Sequence, residues 1–422
     1  MNGDELTDAV VNYYLSSGDY NGLPAYALTR DGTVDLPELK ALLHPLIEND
    51  VLAVNFGEVH VNPHIRAFPD PPAQEQLSRL QSFAGDYFVL YPTHTLLGRR
   101  VNSADFEGRP FSLRLALGAP QLAYESFDMA VIDHYRRDPR YRFWSNDVTA
   151  TLSIGDEAYV SQSFPDKHKV LIQHFGFSYD DQHRRAVAVF LTDLDGLTPE
   201  HQQVWAAFQL TGNYKLQPDF YRAAILGDWG LKVSLRDAFV EELKTINAMC
   251  LAIGWPKLFR NEFAEPPKEL AFLIRPTEDE FHAFVQTLDK LMSENINRDF
   301  FPASISRELE HERPDGKVAV HQCGTIQLLD QWLRQSFRTP DTEPVDECLA
   351  TFREVRKKRQ KPAHAVLTAK YDEALFEQQR QLFIRAYSAV RTLRLVIQNH
   401  PRARAVRDKM NEQVRNGEIW SL

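Results

Sequence analysis

The chain has 422 residues, 43% of them hydrophobic and 25% charged, and a formal net charge of −10. That length predicts two to four domains at roughly 100–200 residues each, and the balanced composition excludes a disordered chain. The longest apolar run, residues 186–192, is strand-sized, far short of the ~20 apolar residues of a membrane span.

Residues 1–5 have neither the positive start nor the apolar core of a signal peptide, so no membrane association is expected. Three cysteines, Cys250, Cys323 and Cys348, stand too far apart for a disulfide framework or a structural zinc, which predicts a reducing, cytoplasmic setting.

Residues 4–66 read as helix, helix, hairpin. Asp35 is suited to cap a helix with Pro37 in its first turn, and Leu36, Leu39, Leu42, Leu43 and Leu46 follow at helical spacing. Leu52, Val54 and Phe56 then alternate, Gly57-Glu58 can turn, and Val59 and Val61 alternate back. Helices followed by a hairpin predict a winged-helix-like unit over residues 1–68. Its second helix offers Lys40 against Asp35, Glu38, Glu48 and Asp50, which favours a scaffold or protein-contact role over DNA binding. The prolines at 69, 71 and 72 read as a linker.

Beyond them, residues 69–310 read as a mixed α/β region, divisible at 230/231. Strands are predicted at 111–117, 148–154, 169–178 and 186–192, where β-branched and aromatic residues are dense. Helices are predicted at 199–210, 219–227, 234–253 and 277–296, the third capped by Ser234 and stopped by Gly254. Residues 311–422 read as an all-helical bundle, with helices at 324–337, 344–361, 371–399 and 404–416, the last ended by Gly417. The fold class is therefore α+β: a winged-helix-like start, a strand-rich middle and a helical C-terminal bundle.

No phosphate-binding loop, dinucleotide fingerprint, hydrolase elbow or HExxH zinc motif occurs, and no metal or cofactor is expected. Other clusters are weaker. His60 and His64 lie beside Glu58 in the expected hairpin, Asp128, Asp133 and His134 lie together, Asp193 and Asp195 close a strand, and Glu242-Leu243-Lys244 has a nuclease-like ExK spacing. Solvated turn carboxylates and satisfied histidines account for them as well. The charge, in contrast, is strongly uneven. Residues 350–422 hold 16 Lys and Arg against 7 Asp and Glu, whereas the other residues hold 32 against 51. A basic tail on an acidic body suits a polyanion-facing module, or a helical face that pairs with that body.

Within the tail, Val345, Cys348, Leu349, Phe352 and Val355 make an apolar stripe, which Arg356 and Arg359 continue while Lys357, Lys358 and Lys361 face solvent. Inward-facing guanidiniums need a carboxylate of the chain or a phosphate from outside. An Arg-then-His spacing of this kind recurs at Arg275/His282, Arg359/His364 and Arg394/His400. The second pair stands apart in its basic density and its place between two long helices.

Arg359-x4-His364 in this setting resembles the Rx4–6H motif of HEPN domains, helical bundles found in RNA-cutting toxins and in antiviral-defence effectors. The resemblance covers about a quarter of the chain. Gln360 stands where the commoner motif has Asn, Asp or His, and Pro362 lies inside the motif.

The resemblance implies a metal-independent endoribonuclease, with His364 moving the proton and Arg359 clamping the scissile phosphate. Arg356 and Lys361 would support it, and Arg380 and Arg391, eleven residues apart on the next helix, would extend an RNA-binding track. It also implies a homodimer with a composite site, a sensing or regulatory role for residues 69–310, and a regulatory protein or trigger that controls an enzyme otherwise held off. The alternative is a non-catalytic nucleic-acid-binding, dimerisation or regulatory protein, its helical C-terminus an interaction module.

Overall fold

Helix starts in this chain are set by side-chain caps, which relieve the unpaired N–H groups of a first turn. Asn2 caps helix α1 (Gly3–Ser16): its Oδ1 accepts from Glu5 N at 2.9 Å, and Glu5 Oε2 accepts from Asn2 N at 2.8 Å. Asp35 caps α2 (Leu36–Glu48) in the same way, accepting from Glu38 N at 2.8 Å.

The computed structural model describes residues 1–30, 32–57, 62, 64–145, 148–161, 163–228, 232–264, 266–312, 318–337, 341–360 and 370–420. It is a mixed α+β structure with several small sheets and a helical C-terminal region, divided into two compact units, Met1–Gly230 and Leu231–Leu422. The boundaries read from sequence at 68/69 and 310/311 thus fall inside units. Among the described residues no helix is long and apolar enough to cross a membrane. The three cysteines are buried and unbridged.

In the first unit, strands β1 (Leu23–Pro24), β2 (Leu52–Asn55) and β3 (Val89–Pro92) form an antiparallel sheet of order β1-β3-β2. Leu6, Val10, Leu39, Leu43, Leu52, Leu80 and Leu90 share one core with it. The described partner of β2 is therefore β3, beyond a further helix (Ala73–Ser82). The return strand expected at Val59 and Val61, with Glu58 and His60, lies outside the described residues. The expected linker is held inside this unit, where Asp70 pairs with the buried Arg66 at 3.0 Å and Pro71 O accepts from Gln76.

A second, six-stranded antiparallel sheet follows. It comprises β4 (Tyr124–Phe127), β5 (Tyr141–Ser145), β6 (Thr149–Ile154), β7 (Leu171–Tyr179), β8 (Arg185–Phe190) and β9 (Lys215–Leu216), in the order β4-β8-β7-β6-β5 with β9 against β7. The strand expected at 111–117 is instead a helix, Pro110–Ala116. Phe111, Leu113, Leu115 and Leu117 alternate like a strand, but the buried set is Phe111, Ser112, Leu115 and Ala116, the repeat of a helix with Pro110 in its first turn. The strand expected to reach 192 ends at Phe190, and Asp193 and Asp195 lie on a helical turn, Leu191–Asp195.

Helix α3 (Pro199–Ala207) buries His201, Gln202 and Trp205. Trp205 meets Phe127 edge-on at 5.0 Å and donates to Tyr135 Oη at 3.0 Å, and Tyr135 Oη in turn lies 2.7 Å from His201 Nδ1. His201 Nε2 is buried with no partner among the described residues. Burial first, then the neighbouring His168 and His134, push the His201 pKa down to about 4. Neutral His201 therefore stabilises the unit at and above the ordinary value of 6.5, and this stabilisation is lost as pH falls from there toward 4. Between pH 7 and pH 5 the loss is expected to be about 2 kcal/mol. Thermal unfolding at both pH values checks it: His201→Gln should lose clearly less than wild type, and equal losses would exclude His201 as the source.

The described helices of the second unit share one core. Helices α4 (Leu235–Ile253), α5 (Glu278–Leu291), α6 (Thr325–Ser336), α7 (Glu343–Gln360) and α8 (Ala374–Gln398) contribute Phe239, Phe284, Trp332, Phe352, Phe383 and Val390 to it. Ser234 caps α4, Gly254 ends it at φ 98°, and Thr277 caps α5. Because α4 and α5 pack against α7 and α8, the helical bundle begins well before residue 311.

Nor is the region from 311 onward all helix. Strand β10 (Val233–Ser234) precedes α4, β11 (Glu308–Glu312) and β12 (Val318–Gln322) form an antiparallel pair, and β13 (Ile419–Trp420) lies parallel to β10. The helix expected at 404–416 is two short ones, Arg404–Arg407 and Glu412–Asn416. Asn411 interrupts it by turning its side chain to cap the second, accepting from Gln413 N at 2.9 Å.

Candidate functional site

The site is built at the C-terminal end of α7. Cys348, Leu349, Phe352 and Val355 are buried along one stripe of the helix. One and two turns beyond Phe352, Arg356 and Arg359 continue the stripe and remain 31% and 28% exposed, while Lys357 faces solvent. Lys358 pairs with Glu354 at 3.8 Å. Lys361, Pro362 and His364 lie outside the described residues.

The partners of the two arginines come from α5 and the turn after it. Asp289, fully buried, accepts from Arg356 Nε on Oδ1 at 3.0 Å and from Arg359 Nη1 on Oδ2 at 2.8 Å. Glu294, 37% exposed, is a second acceptor for Arg359 Nη1. The hydrogen bonds that Arg359 donates to Asp289 and then to Glu294 hold it above its already high ordinary value, so it stays charged at every working pH.

One detail decides what the arrangement can do. Both carboxylates use the same nitrogen of Arg359, so Nε and Nη2 bond to no described residue; nor do Nη1 and Nη2 of Arg356. Two charged, oriented guanidinium edges are left beside a buried carboxylate that fixes them.

The acids nearest in sequence on the next helix, Glu373 and Glu377, are not the partners; the carboxylates come from the body of the chain. Glu377 pairs with Arg380 at 3.3 Å on the exposed face of α8. Asp289 was legible only indirectly, as an acid set in the apolar stripe Phe281, Phe284, Val285, Leu288 and Met292.

Arg380 and Arg391 do not form one exposed track. Arg380 is exposed, whereas Arg391 is turned under the C-terminal segment, where its Nη2 donates to Arg415 O at 3.4 Å. Gly417 makes that fit possible: a Cβ there would lie 2.4 Å from Arg391 Nη1, and the residue sits at φ 80°.

The other sequence candidates are separated. Asp128 caps Ala130 N at 2.7 Å, Asp133 pairs with Arg137 at 2.7 Å, and His134 is exposed. His64 is described, with its main-chain oxygen taken by Tyr91. Burial pushes Asp193 up to about 7. Glu242 of the ExK spacing is fully buried against Arg394, which removes it from any nuclease role. Arg394 is also the arginine of the third Arg-then-His pair, whose His400 caps Arg402 N at 3.3 Å. Among the described residues no three His, Cys, Asp or Glu side chains gather as a metal-holding group.

No protein-family model matches the chain, and neither does any curated protein or solved structure.

Proposed function

We propose that the second unit is a metal-independent endoribonuclease of the HEPN type, in which Arg359 binds the scissile phosphate and His364 transfers the proton. The carrying observation is the pair of N–H edges on Arg356 and Arg359 that bond to no described residue, held in place by Asp289 at the end of an amphipathic helix. In this reaction the RNA 2′-oxygen bonds to the adjacent phosphorus as the bond from phosphorus to the 5′-oxygen breaks. The 2′-hydroxyl proton goes to the enzyme and a proton is returned to the leaving oxygen. A side chain near neutral pKa serves that transfer, and a bidentate cation stabilises the charge that develops on the phosphate.

On this reading two copies face each other to form a composite site, and the protein acts as a regulated toxin or antiviral-defence effector under a partner's control. In the first unit, the element order is helix, strand, helix, helix, strand, helix, strand with sheet order β1-β3-β2, which supports a winged-helix-like reading as far as β2, since the helix Ala73–Ser82 separates it from β3. Lys40 there donates to Phe83 O at 2.5 Å, which favours a scaffold role.

A second reading, a non-catalytic interaction or dimerisation module, is favoured by the carboxylates on both arginines. One assay separates the two: total tRNA and a labelled structured RNA incubated in EDTA with wild type, His364→Ala and Arg359→Lys. Ribonuclease action predicts cutting by wild type that falls by about 10²–10⁴-fold in His364→Ala. No cutting by wild type, or cutting indifferent to His364, would leave the interaction module as the better reading.

A further inference from the structure

Beside Glu294 the second unit has an open groove of about 570 Å³. One wall is the solvent face of α5, where Gln286, Thr287 and Lys290 follow at helical spacing. The other is the segment carrying Arg260, Asn261 and Phe263. The segment is clamped to the end of α5 by Asn295, 1% exposed. Asn261 N donates to Asn295 Oδ1 at 2.8 Å, Asn295 Nδ2 donates to Asn261 O at 3.0 Å, and Arg260 N donates to Asn295 O at 2.8 Å. The groove is therefore formed before any ligand arrives, which lowers the ordering cost of binding.

We propose that this groove is a nucleotide subsite, taking one base of an RNA strand and the phosphate next to it. The proposal rests on the ribonuclease reading and adds to it where the substrate lies. Three observations carry it. The volume falls within the range of roughly 300–1,000 Å³ for small-ligand sites, which suits one or two nucleotides.

The lining pairs cations with an amide, a hydroxyl and an aromatic ring, the set that binds single-stranded RNA through phosphates, base edges and stacking. Lys290 is exposed and has no carboxylate within ion-pairing distance among the described residues, so its charge is open to a phosphate. Finally, Glu294 both lines the groove and binds Arg359 Nη1, placing the groove and the phosphate clamp on either side of one carboxylate. Only two cations line the groove, beside Glu269 and the Arg359-bound Glu294, which suits a short contact that reads a base rather than a long electrostatic track.

The test measures binding and cutting separately, on the full chain. Fluorescence anisotropy with a labelled 2′-O-methyl oligonucleotide, which cannot be cut, reads binding by wild type, Gln286→Ala/Lys290→Ala and His364→Ala. The double variant changes only solvent-facing positions, and circular dichroism confirms its fold. Its binding should weaken by about tenfold, as expected for one lost phosphate contact and one lost base contact, while His364→Ala binds like wild type. Wild-type binding unchanged in the double variant, or no binding by wild type, would overturn the subsite. Cutting of unmodified RNA in EDTA tests the ribonuclease reading on its own, since binding that depends on Lys290 without cutting leaves the subsite standing and removes the nuclease.

Discussion

Glu242→Leu is expected to destabilise the second unit by about 3–5 kcal/mol, because it strands a buried guanidinium. Glu242 and Arg394 are both fully buried, joined from Arg394 Nε to Glu242 Oε2 at 2.5 Å across α4 and α8. Arg394 Nη1 also donates to Gln398 at 2.7 Å, but Arg394 Nη2, Glu242 Oε1 and Tyr387 Oη find no partner among the described residues. Burial raises the Glu242 carboxyl, and the hydrogen bond and charge of Arg394 oppose that rise. With so many unsatisfied atoms, the pair itself adds little stability, and the damage comes from removing one half of it. Glu242→Leu with Arg394→Met should therefore recover most of the loss. Urea titration followed by tryptophan fluorescence reads both, and a single variant as stable as wild type would show that water reaches the pair.

Asp289→Ala has the second largest expected effect, and it acts on the site. Without this carboxylate Arg356 loses the acceptor that orients it and Arg359 keeps only Glu294, and neither is more than a third exposed. Stability should fall by about 1–3 kcal/mol, less than for Glu242 because both guanidiniums can reach water. If Arg359 clamps the phosphate, the rate of RNA cutting should fall by about 10²-fold through misplacement alone, with KM little changed. Asp289→Asn keeps one acceptor and should lie between. A variant that loses stability and keeps its full rate would make Asp289 structural only.

Local chemistry accounts for what could be read early. Asp35, Ser234 and Thr277 cap helices, and Gly254 and Gly417 end them, because each acts through groups within a turn of itself. The inward turn of Arg356 and Arg359 was legible for the same reason, since helical period alone places them on the stripe of Phe352. Residues 111–117 failed because their apolar spacing satisfies two periods at once, and only burial chooses between them.

The sequence by itself thus determined the caps at Asp35 and Ser234, the stops at Gly254 and Gly417, the apolar stripe of α7 and the uneven charge. Tertiary structure alone decided the partners. Asp289 lies 67 residues from Arg356 and 70 from Arg359, Glu242 lies 152 from Arg394, and β2 pairs with a strand beyond an intervening helix. Such pairings depend on how whole helices pack, and a buried charge takes whichever opposite charge that packing brings within reach.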